Sequence, residues 1–312
     1  MKDFITYLDN YLRRLTLKSI FLTLLFISAL IVCNYTFGIE RRIRDIQPWY
    51  LSLCCFFLFY GFVFYFAWGL AGAPKIQDPV SRRSFLLILL MAPLYFSFKM
   101  IHWDLSLVLL HNLHYPWDQY AQIVLQLPAK LLLLYFFLRC CGKLLRQENI
   151  TGLAAVGLTT RDFRATPYFI LLALMLPLVA LASTRPDFLH TYPKVKNIAF
   201  ITAYARPAWP WQLLYELSYG LDFLSIELFF RGLLVIGLSR YAGEKVILPM
   251  AAFYCTIHFG KPLGECISSF FGGMILGVIA LRTRSILGGL IVHLGLAWLM
   301  ELGGWLGNLF RF

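Results

Sequence analysis

Long apolar runs separated by short polar segments dominate the chain. A helix crosses the hydrocarbon core of a bilayer with about 20 apolar residues, and only a helix satisfies its own backbone hydrogen bonds there if no barrel closes. The pattern therefore predicts an all-α, polytopic membrane protein with eight or nine transmembrane helices. The runs lie near 19–38, 49–72, 84–101, 119–140, 167–183, 211–238, 247–260, 264–281 and 286–305.

The sequence predicts two regions along the chain. Residues 1–166 read as N-terminal membrane helices and amphipathic segments, and the basic stretch 142–166 is typical of a helix at the lipid surface. Residues 167–312 read as a membrane core, with the chemically suggestive positions between 211 and 300, in the last four spans.

Composition and charge support the same class. The chain is 60% hydrophobic and 14% charged, with a net charge of +12 and a mean hydropathy of +0.70. The basic residues fall mainly between the apolar runs, where they orient helices and meet lipid headgroups. We therefore predict the lipid bilayer and no nucleic acid as a partner. The distribution of Lys and Arg favours a cytoplasmic N-terminus, and we expect a bacterial inner membrane.

Glu227 and Arg231 stand out because both lie in the sixth apolar run. An ionisable side chain at the bilayer centre costs about 2.5–3.5 kcal/mol, so each one needs a reason. At positions i and i+4 the two share a helix face and can pair. Their presence predicts either a charge pair that pins helix packing or the charged half of a buried site.

Two histidines favour the second interpretation. His258 lies in the seventh run and His293 in the ninth. Counted from the cytoplasmic ends at 1.5 Å per residue, Glu227, His258 and His293 come at depths of about 17, 17 and 12 Å. Two His and one Glu can bind a catalytic Zn²⁺. Without metal, a Glu–His pair can deprotonate water while the second His stabilises an oxyanion. Both alternatives predict hydrolysis within the membrane.

The ordered motifs of this region resemble those of the CPBP intramembrane proteases, which include the CAAX prenyl endopeptidases of the Rce1 type and bacterial Abi proteins. The resemblance implies a helical core that hydrolyses peptide bonds near the membrane, with Glu227, Arg231, His258 and His293 at the site. The matching residues are Glu227, Arg231 and Gly232; His258; and Arg282, Thr283, Ser285, Ile286 and His293.

The chain departs from the family pattern at three positions. The first motif usually opens with two glutamates, where this chain has Ile226 before Glu227. The second usually has Phe where Tyr254 stands, and the third usually has Asn or Asp where Ala297 stands. Glu265, seven residues beyond His258, is a candidate replacement carboxylate. Its alternative is an ion pair with the nearby Lys261.

The sequence predicts an intramembrane endopeptidase that cleaves a membrane-associated protein. Because Ile226 and Ala297 remove two expected polar groups, the first alternative is an inactive relative that acts as a membrane scaffold, chaperone or immunity factor. The second alternative is a small-molecule transporter, since buried charges also mark solute pathways.

Overall fold

The computed structural model describes residues 2–104, 112–145, 152–160 and 163–310. These residues form helices and connecting turns, with no β-strand among them. The basic stretch 142–166, predicted to lie at the lipid surface, falls partly outside the described residues. The all-α fold is therefore confirmed.

Thirteen α-helices follow one another along the described chain, together with short 3₁₀ segments at Gly152–Val156, Lys194–Ala203 and Gly243–Val246 and a π-helical segment at Leu228–Gly237. The α-helices are α1 (Lys2–Arg14), α2 (Leu17–Phe37), α3 (Ile39–Arg44), α4 (Trp49–Ala71), α5 (Pro79–Met100), α6 (Trp117–Leu145), α7 (Thr166–Ala182), α8 (Pro186–Thr191), α9 (Trp209–Glu227), α10 (Ser239–Ala242), α11 (Ile247–Thr256), α12 (Leu263–Thr283) and α13 (Leu287–Leu309).

Six of these helices are long and apolar enough to cross a membrane, which fits a polytopic membrane protein. They are α2, α4, α5, α6 up to Gly142, α12 and α13. The apolar helix α7 is shorter, at 17 residues. The predicted span at 247–260 contains only the ten residues of α11. Such a helix is about 15 Å long, roughly half the hydrocarbon thickness.

The predicted span at 211–238 contains an α-helix followed by a π-helical segment. Helix α9 ends at Glu227, and the π-helical segment Leu228–Gly237 follows without a break. Every residue of that segment is buried. The amide of Leu238 donates to the carbonyl of Leu233 at 3.1 Å, which is the i→i+5 bond of a π-helix.

The described chain forms two compact units that alternate along the sequence. The first comprises Met1–Ile101, Phe137–Phe163 and Leu228–Gly289. The second comprises His102–Phe136, Arg164–Glu227 and Leu290–Phe312. Neither unit coincides with the predicted division at 166/167, which stays a prediction about where the sequence motifs lie.

In the first unit, α11 packs against α12 and α4. Glycines allow the approach of α12, because a Cβ at Gly273 would lie 2.9 Å from Cδ1 of Tyr254, and one at Gly277 would lie 2.6 Å from Cε of Met250. The small-residue spacing therefore serves close helix packing. The buried core includes Ile27, Val63, Ala67, Leu248, Ala251, Ala252, Cys255, Phe259, Cys266 and Phe270.

In the second unit, α13 approaches α7 and the turn after α8 closely. A Cβ at Gly295 would lie 2.5 Å from Cδ2 of Leu172, and one at Gly304 would lie 2.6 Å from the backbone of Tyr192. The unit also contains a core between α6, α9 and the 3₁₀ segment that starts at Lys194. That core consists of Tyr120, Val124, Ile198, Ile201, Ala205 and Tyr215.

Candidate functional site

Glu227 and His293 form a buried hydrogen-bonded pair in the second unit. Oε1 of Glu227 lies 3.1 Å from Nδ1 of His293. The Glu227 side chain is completely buried, and that of His293 is 14% exposed. The carboxylate comes from the last residue of α9, and the imidazole from the second turn of α13. The structure therefore brings together two of the residues that the sequence singled out.

Side chains of α9 and α13 meet around this pair. A Cβ at Gly220 would lie 3.4 Å from Cδ1 of Leu294, so the side chain next to His293 in sequence reaches α9 at this glycine. The ring of Phe223, one turn before Glu227, meets the His293 ring edge to face with centroids 4.7 Å apart. The imidazole is held by a carboxylate and an aromatic face at once.

The pairing decides which nitrogen of His293 can act on a substrate. A carboxylate oxygen accepts, so Nδ1 of His293 carries the hydrogen and donates it to Glu227. In the neutral ring the lone pair then lies on Nε2. A histidine in this form is a general base, and the carboxylate behind it stabilises the imidazolium that forms when it takes a proton.

Arg231 lies in the π-helical segment of the first unit and is completely buried. Its guanidinium carbon is 4.1 Å from the centroid of the Tyr254 ring, which is the geometry of a cation–π contact. The following residue, Gly232, allows a close contact, since a Cβ there would lie 2.6 Å from the carbonyl oxygen of Val156. The Arg-Gly pair of the first motif thus combines a buried cation with a close backbone approach.

His258 lies in the turn that follows α11 rather than deep in a long span. Its Nδ1 is 2.9 Å from the carbonyl oxygen of Tyr254, one turn earlier, and the two rings meet edge to face at 4.7 Å. The carbonyl accepts, so His258 also carries its hydrogen on Nδ1. The expected depth of about 17 Å assumed a continuous helix, whereas α11 ends two residues before His258.

Glu265 pairs with Lys261. Oε1 of Glu265 lies 3.4 Å from Nζ of Lys261, and both side chains are partly exposed. Glu265 stands in the first turn of α12, directly after the turn that carries His258. This is the ion pair that the sequence left open as the alternative to a catalytic role.

Residues of the third motif lie at the turn before α13 and make the contacts that hold this turn. The hydroxyl of Ser285 accepts the amide of Leu287 at 3.3 Å and donates to the carbonyl of Thr159 at 3.0 Å. The amide of Ile286 donates to the carbonyl of Gly157 at 2.9 Å. Arg282 forms an ion pair with Glu244. These residues fasten the 157–159 stretch and the α10 region to the turn before α13.

The two positions that depart from the family pattern are buried and apolar. Ile226 is 7% exposed and Ala297 is 4% exposed. Glu301, one turn beyond Ala297 on α13, accepts the amides of Lys194 and Val195 at 2.7 and 3.1 Å. Its carboxylate therefore caps the 3₁₀ segment Lys194–Ala203, which is a structural task.

A metal site needs a group of donors, and the predicted ligands were Glu227, His258 and His293. Each histidine has the form that suits a metal ligand, with Nδ1–H bound to an oxygen and the lone pair on Nε2. Among the described ranges, however, no group of three His, Cys, Asp or Glu side chains is arranged to hold an ion. The zinc alternative stays a prediction.

Comparison with known proteins supports the resemblance over the C-terminal part. Residues 208–299 match a family model described as type II CAAX prenyl endopeptidase, Rce1-like. We call this stretch the Rce1-like segment after that similarity, and it contains every motif residue named above, from Glu227 to His293. No significant match was found to a curated protein or to a solved structure.

Two further residues contact the candidate site, and the sequence motifs did not predict either of them as part of it. Tyr254 differs in sequence from the Phe that is usual in the second motif, and in the structure its ring contacts Arg231 and its carbonyl accepts a hydrogen bond from His258. Phe223 was not singled out, although its position four residues before Glu227 places both on one face of α9. The sequence signal is this spacing of four residues, because an aromatic ring one helical turn before a buried carboxylate can contact the same side chain as the carboxylate does.

Proposed function

We propose that the protein is an intramembrane endopeptidase of Rce1-like type, which hydrolyses a peptide bond of a membrane-associated protein. The observation that carries the proposal is the buried Glu227–His293 pair, 3.1 Å between Oε1 and Nδ1. A carboxylate and an imidazole in this arrangement form a general base. The apolar helices of the chain put the pair in a membrane protein, with the N-terminus proposed on the cytoplasmic side of a bacterial inner membrane.

In the proposed reaction, Nε2 of His293 takes a proton from a water molecule as the water oxygen attacks the carbonyl carbon of the scissile bond. Glu227 holds the ring in the required tautomer and stabilises the imidazolium. The imidazolium then returns the proton to the leaving amine as the C–N bond breaks. The step is redox-neutral, and the products are a carboxylic acid and an amine, which then ionise to a carboxylate and an ammonium group.

His258 enters the proposal through the resemblance, as the histidine of the second motif. Its Nδ1–H is bound to a carbonyl, so it can donate a hydrogen bond to an oxyanion through Nε2 only in its protonated form. A donor of this kind is typically worth about 10²–10³-fold in rate.

The proposal is tested by comparing the termini of membrane proteins in cells that express the native chain or Glu227→Gln at matched levels. Glutamine keeps the shape and can still accept a hydrogen bond, but it cannot stabilise an imidazolium, so we expect cleavage to fall about 10³–10⁴-fold. His190→Ala is the matched control, because His190 is an exposed histidine on α8. Termini that are identical with the native chain and Glu227→Gln contradict the proposal.

The alternative of a catalytically inactive, partner-binding relative is favoured by the buried Ile226 and Ala297, which leave two family positions without a polar group. It predicts that no termini depend on the native chain. The zinc alternative is separated by measuring the metal content of the purified protein and its cleavage rate after chelation. We expect the reaction written above to survive chelation, and its loss on chelation with recovery on added Zn²⁺ would establish the zinc alternative.

A further inference from the structure

The turn that carries His258 is held by helices outside the Rce1-like segment. The side-chain amide of Asn34, on α2, donates to the carbonyl of Phe259 at 3.0 Å. The hydroxyl of the adjacent Tyr35 donates to the carbonyl of Lys261 at 2.5 Å. These two bonds reach the residue directly after His258 and the residue three positions after it. The backbone bonds of the turn itself are short-range, from His258 to Cys255, from Phe259 to Thr256 and from Lys261 to His258.

Asn34 is well suited to fix a turn because both ends of its amide are engaged. Its Oδ1 accepts the backbone amide of Glu40 at 2.9 Å, so the side chain links α3 to the turn. Asn34 is only 3% exposed. In such surroundings an amide with both bonds made stabilises one geometry, and an apolar residue of similar size leaves two backbone groups without partners.

A second contact brings the same turn against the start of α3. Glu40 is 5% exposed and forms an ion pair with Arg44. A Cβ built on Gly260 would lie 3.0 Å from Oε2 of Glu40, so only glycine allows the backbone of the turn to approach this carboxylate without a shift. The turn is thus held at Phe259, Gly260 and Lys261 by three residues of the α2–α3 region.

We propose that Asn34 is a positioning residue for His258, with Tyr35 and Glu40 completing the support. The inference rests on the proposed function, since a position matters only if His258 takes part in the reaction. The physical basis of the inference is that His258 lies outside any helix. Helix α11 ends at Thr256, so the direction of the ring depends on the conformation of residues 257–262, and the α2–α3 region holds that conformation.

The first test measures hydrogen exchange of the backbone amides of 257–261 in the intact protein in lipid nanodiscs, for the native chain, Asn34→Leu and Thr23→Val. Thr23 is the matched control, because it lies on the same helix and is completely buried. We expect exchange in this segment to rise about tenfold in Asn34→Leu and to stay unchanged in Thr23→Val. Unchanged exchange in Asn34→Leu overturns the proposal.

The second test measures kcat and KM on a peptide that spans a cleavage site found in the terminus comparison. A displaced His258 should lower kcat of Asn34→Leu about 10–100-fold with little change in KM, whereas a merely unstable protein loses active molecules and shows a lower abundance. A rise in exchange with native kcat means that the turn is held but His258 needs no positioning, which also overturns the proposal.

Gly260→Ala provides an independent variant that leaves Asn34 in place. Its added methyl group should push the turn away from Glu40, and we expect the same rise in exchange and fall in kcat. Gly264→Ala is its control, since a Cβ there meets nothing within 4 Å. If the native chain cleaves nothing, the proposed function fails. The exchange measurement still shows whether Asn34 holds the turn, so the two failures are distinguishable.

Discussion

The two histidines of the Rce1-like segment are held in different ways. His293 donates its Nδ1–H to the side chain of Glu227, which comes from another helix. His258 donates the same hydrogen to the carbonyl of Tyr254, one turn back along its own chain. Both rings also meet an aromatic ring edge to face, at a centroid distance of 4.7 Å. The tautomer is therefore the same, and only the partner differs.

This difference indicates what each ring can do. A carboxylate partner carries a full negative charge and stabilises an imidazolium, so His293 is suited to taking a proton. A carbonyl partner carries only a dipole and orients the ring. The first arrangement is sensitive to the charge of one side chain. The second is sensitive to the path of the backbone, since no substitution removes a carbonyl.

The largest effects should come from removing each ring in turn. We expect His293→Ala to lower kcat about 10³–10⁴-fold, because the general base is lost, and His258→Ala about 10²–10³-fold, because one stabilising group is lost. Cleavage rates on the same peptide substrate at matched protein levels give both numbers. The order of the two losses is decisive. A smaller loss for His293→Ala than for His258→Ala would contradict the roles assigned to the two histidines.

Alanine substitutions at two adjacent glycines of α12 test the packing around Tyr254, because only one of the two glycines faces that ring. Gly273→Ala places a methyl group 2.9 Å from the Tyr254 ring, which also contacts Arg231. We expect a destabilisation of about 1–3 kcal/mol from overpacking, seen as a lower midpoint of thermal unfolding in detergent. Gly272→Ala is the control, because a Cβ there meets nothing within 4 Å. Equal midpoints for the two variants would contradict close packing of α11 on α12.

The smallest effect should come from Glu265→Gln. The Glu265–Lys261 ion pair is partly exposed, and such pairs contribute about 0–1 kcal/mol. We expect stability to change by less than about 1 kcal/mol and kcat by less than about twofold. A loss of kcat comparable to that of Glu227→Gln would instead make Glu265 the replacement carboxylate that the sequence left open.

Much of the fold could be predicted from the apolar runs, because run length and hydropathy decide whether a helix can cross a bilayer. The runs at 19–38 and 264–281 became α2 and α12 with ends shifted by only a few residues. The π-helical segment could not be predicted this way. Apart from Arg231 the segment is apolar, so it has almost no periodicity that could reveal whether hydrogen bonds reach four or five residues back.

The site was predicted in part for the same reason. Glu227 and His293 stand out in the sequence because they are ionisable residues in long apolar runs, and the structure pairs them. His258 follows a helix of only ten residues, so the count from a helix end no longer measures its depth. Asn34 lies more than two hundred residues away in sequence. No spacing rule connects positions that only tertiary packing brings together.

The buried π-helical segment also has a consequence for changes in chain length. A π-helix accommodates one more residue between bonded groups than an α-helix does. Deleting a single residue between 228 and 237 therefore offers the backbone an ordinary α-helical register in place of the present one, with every amide still bonded. A deletion after Gly232 also keeps the spacing of Glu227, Arg231 and Gly232, so we expect this part of the segment to tolerate loss of a residue better than gain of one.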